Sequence, residues 1–212
     1  MTSDTSPRAY RSALRARQAQ ETRRRVVEAA ARLFATRGYA ATTLAGIARE
    51  AGVSTETVKT TAAKSELLIA AFEVMFAGTE SADSLTDTEV GRGVLDLPDA
   101  ALLDAVVGQI ALANARGHAL WTVLLGAAAS DPVVHTALRA ILARRAVDYR
   151  RFVDELVARG LAPTVADPDA TAAALSFQLS PEGYQQLVTQ SGWTPERYTA
   201  WLRSAVLAEF AR

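Results

Sequence analysis

The sequence predicts an all-α protein with a small basic N-terminal domain and a larger acidic C-terminal domain. Apolar residues recur at helical spacing along most of the chain, and no stretch alternates convincingly as a strand would. Asp131-Pro132, Asp167-Pro168, Ser180-Pro181 and Thr194-Pro195 each pair a capping residue with proline at a first helical position. Charge is unevenly divided, because residues 1–64 carry 12 Lys and Arg against 5 Asp and Glu, and the remainder carries 11 against 18. This asymmetry is typical of a nucleic-acid module joined to a body that avoids nucleic acid.

The N-terminal third begins with residues 1–18, which hold four arginines and little apolar periodicity. They predict a flexible basic arm, helical at most near its end. A helix is predicted over residues 18–36, where apolar residues fall at helical spacing, with Gly38 as its stop.

Two short helices and a longer one follow. Thr43 is the predicted N-cap of a helix over residues 44–51, and Ser54 is the N-cap of another over residues 55–61. A longer helix is predicted from Lys64 to Ala77, ending near Gly78.

The segment IAREAGVSTETVKTT, residues 47–61, predicts a helix-turn-helix. Ala48 is small enough to let the two short helices approach, and Gly52 can adopt the positive φ that a tight turn between them requires. Ile47, Val53 and Val58 can share one small core. The second helix of the pair then presents threonines and a lysine to solvent.

That second helix is suited to nucleic acid. Threonine hydroxyls can bond to phosphates or base edges, their methyl groups can contact the thymine methyl, and lysine can pair with phosphate or guanine. The alternative is an ordinary αα-hairpin with a solvated polar face, and the basic charge of the same third favours DNA. The candidate DNA contacts are Arg23, Arg24, Thr43, Ser54, Thr55, Thr57, Lys59, Thr60, Thr61 and Lys64.

Residues 79–98 are acidic, rich in Ser and Thr and punctuated by glycine, which predicts a loop. Helices return after Pro98, and Gly117, Gly160 and Gly192 are predicted to end the helices that precede them. The predicted helices span residues 99–116, 119–129, 132–159, 168–179, 181–190 and 195–211.

Composition excludes several classes of protein. The chain has no Cys and two isolated His, so disulfides, thiolate chemistry and Cys- or His-based metal sites are not expected. No phosphate-binding glycine loop and no catalytic spacing is present, so the protein is predicted not to be an enzyme and to need no cofactor. No run of 18 apolar residues and no secretory signal is present, which predicts a cytoplasmic protein without a membrane partner.

Residues 24–68 contain the segments EAAARLF, RGY, TTLAGIA, AGVS, ETV and K-x-E-L-L. Together they resemble the DNA-binding domain of TetR-family transcriptional regulators over its three helices and the start of a fourth. The segments AAASDPVVHTAL and SPEGYQQLVTQSGWTPERYTAWL resemble the regulatory domain of an actinobacterial branch of that family. The resemblance implies a helix-turn-helix domain over residues 19–64 and a regulatory domain, for ligand binding and dimerisation, over residues 65–212.

One departure from the family pattern concerns the recognition helix. The family usually has Tyr where Lys59 stands, and often aromatic residues at Thr61 and Ala62. Lysine supplies charge to a phosphate but cannot stack, so the usual operator contacts are weakened or re-specified.

The resemblance implies that the last two helices pair two subunits, and residues 181–211 carry a large aromatic content that suits an interface. Ordinary core within one chain is the alternative. The candidate interface residues are Tyr184, Leu187, Trp193, Tyr198, Trp201 and Phe210.

An internal pocket is expected after residue 80, lined by polar or aromatic residues on otherwise apolar helices. The alternative is that the Gln and Asn side chains lie on the surface and that the Trp and Phe rings belong to the core. The candidates are Gln109, Asn114, Trp121, Phe152, Phe177 and Gln178.

These observations predict a regulator that binds an operator in double-stranded DNA and is released from it by a small molecule. Because the candidate pocket carries few charges, a neutral or lipophilic effector is expected. The alternative is a protein of the same fold that has lost one half of this function: a constitutive or degenerate DNA binder without an effector, or a ligand-binding protein with weakened DNA binding.

Overall fold

The computed structural model describes residues 7–84, 87–88, 91, 93–94 and 96–211, and their side chains from residue 14 onward. All regular structure in these ranges is helical, as predicted. The N-terminal helices are α1 (Pro7–Ala41), α2 (Leu44–Ala51), α3 (Thr55–Thr61) and α4 (Lys64–Ala77).

Helix α1 is longer than predicted. It starts at Pro7, so the segment expected to be a flexible arm is helical wherever it is described, and residues 1–6 of that arm lie outside the described residues. The reason is local, since Ala, Arg, Leu and Gln between residues 8 and 20 are strong helix formers and proline fits a first turn. Gly38 interrupts the helix as predicted, with φ 76° and ψ 176°.

The turn between α2 and α3 has the predicted geometry. Gly52 is left-handed, with φ 66° and ψ 39°. Thr43 caps α2 by accepting a hydrogen bond from the Gly46 amide at 3.0 Å, and Ser54 caps α3 by accepting from the Thr57 amide at 3.0 Å. The caps satisfy amides that a helix start would otherwise leave unpaired, so this short pair is fixed by local chemistry.

The C-terminal helices are α5 (Asp99–Ala128), α6 (Pro132–Ala158), α7 (Pro168–Gln178), α8 (Pro181–Tyr184) and α9 (Pro195–Glu209), with a π-helix over Gln185–Gln190. The predicted break at Gly117 is wrong, because α5 is continuous through it. A Cβ at Gly117 would lie 3.0 Å from Cδ2 of Phe76, so this glycine lets α4 and α5 approach closely.

Two groups of buried apolar residues hold the helices together. The first joins α1–α4 to the C-terminal half of α5 and the N-terminal half of α6, with Phe34, Leu68 and Trp121 among its members. The second joins the N-terminal half of α5 to α6, α7 and α9 around Leu175 and Leu202. The helix-turn-helix therefore shares a continuous core with the helices that follow it.

Candidate functional site

The outward face of α3 is polar and accessible. Lys59 and Thr60 are exposed and Thr57 is partly exposed, while Val58 is fully buried in the first apolar core, where α3 packs on α2 and α1. Burial of a single valine orients the short helix, so the lysine and the threonines share the solvent side. This arrangement is suited to a recognition helix lying in the DNA major groove.

Two threonine hydroxyls on α3 already donate hydrogen bonds within the helix. The Thr60 hydroxyl donates to the carbonyls of Glu56 and Thr57 at 3.1 and 3.0 Å, and the Thr61 hydroxyl donates to Thr57 at 2.7 Å. Their oxygens keep free lone pairs and can accept from an adenine or cytosine amino group. Thr60 is thus better placed to accept from a base edge, or to contact a thymine methyl, than to donate to phosphate.

Arg23 and Arg24 are held by protein groups. Arg23 bonds to Glu80, with its Nη2 at 2.5 Å from Oε2, and donates to the Thr61 carbonyl at 3.2 Å. Arg24 pairs with Glu21 and Glu28 on its own helix, each at 2.6 Å. Helical spacing places both acids within reach of Arg24. Arg23 therefore ties the end of α3 to α1, and a contact from either guanidinium to DNA would compete with these bonds.

Arg25 is a positioning residue that sequence reasoning did not single out. Its Nη2 donates to the Ala51 carbonyl at 2.5 Å and to the Gly52 carbonyl at 3.2 Å. These carbonyls end α2, where unpaired acceptors favour a cation. The sequence could have indicated this role, because Arg25 is the last of three consecutive arginines on a helix that was expected to lie beside the turn.

Lys64, at the start of α4, lies between the two parts of the molecule. Its Nζ is 4.4 Å from the ring centre of Tyr39, and the Tyr39 hydroxyl donates to Oδ2 of Asp131 at 2.6 Å. Asp131 is also the N-cap of α6 and accepts from the Val133 amide at 3.0 Å. Burial, followed by the bond to Asp131, raises the pKa of Tyr39 to about 12, and that bond is the main cause that lowers the pKa of Asp131. Lys64 is therefore already engaged with Tyr39.

The six predicted pocket residues lie in different surroundings. Asn114 is buried and donates to the Tyr198 hydroxyl at 2.9 Å, Trp121 and Phe152 are core residues, and Phe177 is 79% exposed. Gln109 lies half-buried on α5, and the Gln178 amide donates to Glu209 at 2.9 Å. An apolar helix can bury more than one of its faces. A position on such a helix therefore does not determine which neighbours the side chain contacts.

The structure contains a small cavity of about 60 Å³ between α4 and α6. Its walls include Phe72, Glu73, Ile141, Arg144 and Arg145. A larger cleft of about 380 Å³ lies where the start of α5 meets the ends of α6 and α9. The apolar stripe of α6 could have revealed Arg145 from sequence, because it stands four residues from both Ile141 and Tyr149.

The predicted interface residues form an aromatic cluster within one chain. Tyr198 is fully buried and meets Tyr184 edge-on at 5.1 Å, so its ring is core rather than surface. Trp193 and Trp201 are partly exposed and meet edge-on at 6.5 Å. Leu187 is half-buried and Phe210 is buried. The two tryptophans are thus the accessible part of the predicted set.

The described ranges offer neither a metal site nor a membrane span. They contain no group of three or more acidic or histidine side chains that could hold a metal ion. None of their helices combines the length and the apolar character that a membrane span requires.

Fold and site together define an all-helical protein whose N-terminal helices include a helix-turn-helix. Residues 26–58 match the family model described as bacterial regulatory proteins, tetR family. This match confirms, over residues 26–58, the resemblance to TetR-family regulators stated from the sequence.

Solved structures agree with this fold. A proposed transcriptional regulator from Pseudomonas aeruginosa PAO1 superposes with a TM-score of 0.67 at 17% identity, over 89% of this chain and 90% of that one. A proposed TetR-family regulator from Mesorhizobium loti MAFF303099 gives a TM-score of 0.58 at 19% identity, over 91% and 96% of the two chains. No curated protein sequence gives a significant match.

Proposed function

We propose that the protein is a cytoplasmic homodimeric repressor that binds operator DNA through α3 and leaves it when a small molecule binds the regulatory domain. The observation that carries DNA binding is the exposed Lys59 and Thr60 on a well-capped helix, within the basic third of the chain. Bonds to phosphate would supply most of the affinity, and threonines on the same face would read base edges.

The proposed DNA binding is tested by selecting, from random DNA, the sequences that the full chain binds. A dimer should recover two half-sites whose centres lie about 34–36 Å apart or a multiple of that. Lys59→Ala should lower the salt slope of log K by about 0.9 for each phosphate that Lys59 neutralises in the wild type. Arg139→Ala, which removes an exposed cation from α6, is the matched control. Equal slopes for the two variants would refute a phosphate role for Lys59.

Dimerisation is supported by apolar side chains that one chain leaves uncovered. Phe177 is 79% exposed and Val147 is 60% exposed, while Trp201 is partly so. Sedimentation at micromolar concentration should show a dimer. Trp201→Ala weakens it if the last helices form the interface, and Phe177→Ser weakens it if α7 does. A monomeric wild type would contradict the proposal.

The size of the cavity between α4 and α6 favours a second candidate, a constitutive DNA binder, although the cleft at the ends of α6 and α9 reaches about 380 Å³. About 60 Å³ is well below the roughly 300 Å³ typical of ligand pockets, so an effector would have to enlarge it. Titration of the DNA complex with a library of compounds separates the two. Release by a compound supports the regulated form, whereas no release by any member supports the constitutive form.

A further inference from the structure

The small cavity has an unusual distribution of charge for its size. The rings of Phe72 and Phe76 and the side chain of Ile141 supply apolar wall, and Ser84 and Thr88 contribute from the α4–α5 connection. Four charged residues also line it: Glu73, Arg144, Arg145 and Asp148. Charged groups beside a space this small must be compensated by one another or by something that enters it.

Three of those four charged side chains have an ion-pair or hydrogen-bond partner in the wall itself or beside it. Glu73 accepts from Arg144 at 3.1 Å and from the Ser81 amide at 2.9 Å. Asp148 accepts from the Ser84 hydroxyl at 2.6 Å. These bonds fix the two carboxylates and one guanidinium as parts of the wall.

Arg145 is different. It is only 8% exposed, and the hydrogen bond from its guanidinium goes to the Ser176 carbonyl at 2.5 Å. Within the described residues, no carboxylate oxygen lies within the 4.0 Å of an ion pair with Arg145. Its guanidinium carbon lies 5.5 Å from the ring centre of Trp121 and 5.9 Å from that of Tyr149, and the guanidinium also bonds to the Tyr149 hydroxyl, which is a neutral partner. A buried guanidinium with five N–H donors is strongly favoured to find an anion.

We infer that this cavity binds a ligand with a single carboxylate on a small apolar body, and that the Arg145 guanidinium anchors the carboxylate. Guanidinium and carboxylate match as a planar bidentate pair, which is the strong form of a charged hydrogen bond. The present volume equals about two waters at 30 Å³ each, so it accommodates the carboxylate group. Phe72 and Phe76 then offer apolar surface to the rest of the molecule.

A single negative charge is favoured over a phosphate. Glu73 and Asp148 stand in the same wall, and a dianion would meet their repulsion with only one uncompensated cation to offset it. The charge on Arg145 also replaces the expectation of a neutral effector, which rested on candidate residues that the structure places elsewhere.

The inference rests on the proposed ligand response and names the ligand class for it. The cavity separates α4 from α6, and α4 follows α3 in the chain after two residues. A ligand that widens this space must shift α4 relative to α6, and α3 would move with it.

The test is direct binding to the full chain without DNA, by calorimetry and thermal shift. The probes are acetate, propionate, butyrate, benzoate and phenylacetate, each compared with its primary amide at matched ionic strength. At least one acid should bind at least about tenfold more tightly than its amide, as expected for a hydrogen bond to a charged group. Arg145→Met should abolish that preference, and Arg151→Met, an exposed change on the same helix, should leave it intact.

The acid–amide comparison uses the wild type, so it holds even if Arg145→Met does not fold. Absence of binding by every acid, or equal binding of acids and amides, would overturn the inference. An acid that binds but leaves the DNA complex intact would support the carboxylate site and contradict the proposed regulation. Release of DNA by a neutral compound, and by none of the acids, would support the proposed regulation and contradict the carboxylate site.

Discussion

The hydrogen bond between Tyr39 and Asp131 joins the helix-turn-helix domain to the first residue before α6, and its contribution can be measured. The perturbations are Tyr39→Phe and Asp131→Ser. Phenylalanine keeps the ring that stacks on Phe34 at 5.8 Å and lies under Lys64, and removes only the hydroxyl. Serine keeps an oxygen for the N-cap of α6 and removes the Oδ2 that accepts from Tyr39.

The expected magnitude follows from the geometry. The bond is 2.6 Å long, partly buried, and made to a charged group, for which about 1.5–3 kcal/mol is typical. Both partners are partly exposed, so water replaces some of the loss and the lower end applies. We expect Tyr39→Phe to lower the free energy of unfolding by about 1–1.5 kcal/mol, which lowers Tm by roughly 2–6 °C in a chain of this size.

The assay is urea unfolding of the wild type, both single variants and the double variant at one protein concentration. A coupling energy near 1 kcal/mol between residues 39 and 131 is the expected result, because each single change removes the same bond. The cycle cancels the change in N-cap quality and the missing attraction between Asp131 and Lys64. Additive effects, with coupling below about 0.3 kcal/mol, would refute a stabilising role for this bond.

Three further outcomes are expected. Gly52→Ala should lower the free energy of unfolding by about 1–2 kcal/mol, because alanine disfavours the left-handed backbone at this position. Gly108→Ala on α5, which has open space around it, should not lower it, and equal losses for the two variants would contradict this reasoning. Gly117→Ala should cost about 1–3 kcal/mol despite better helix propensity, because its methyl group would press on Phe76, and an unchanged urea midpoint would argue against close α4–α5 packing. Because burial raises the pKa of Tyr39 to about 12, its protonated form favours folding; that contribution is complete below about pH 10 and lost as pH rises through 12, so the fall in stability measured across this range should be shallower for Tyr39→Phe.

The local features of the helix-turn-helix were predictable from sequence. Gly52, Thr43 and Ser54 have the roles in the structure that their residue types imply, since caps and left-handed turns depend on neighbours within a few positions. Asp131, Asp167 and Thr194 likewise cap the helices that their following prolines begin. Ser180 is the exception, with no side-chain cap bond.

Features that depend on distant parts of the chain were not predictable in this way. Glycine often ends a helix, and only the position of Phe76 explains why Gly117 sits inside α5. The aromatic residues of the C-terminus suited a subunit interface as well as they suited the core of one chain, and only the structure shows that Tyr198 bonds to Asn114 inside one chain. Arg145 lay on the buried stripe of α6, yet the lack of a carboxylate beside it among the described residues becomes evident only when the facing helices are in place.

The inferred ligand site and the helix-turn-helix are connected through two links to one helix. At its start, α6 is bonded to Tyr39 through Asp131; further along, it is bonded to α4 through the ion pair of Arg144 with Glu73. A rigid α6 bound at both points resists any change in the angle of α4. A carboxylate entering beside Arg145 acts next to the second link, so it must either stretch the Glu73 pair or tilt α6 about Asp131. Either movement changes the position of α3 relative to the body, and only a ligand that binds the two positions with different affinity can regulate DNA binding.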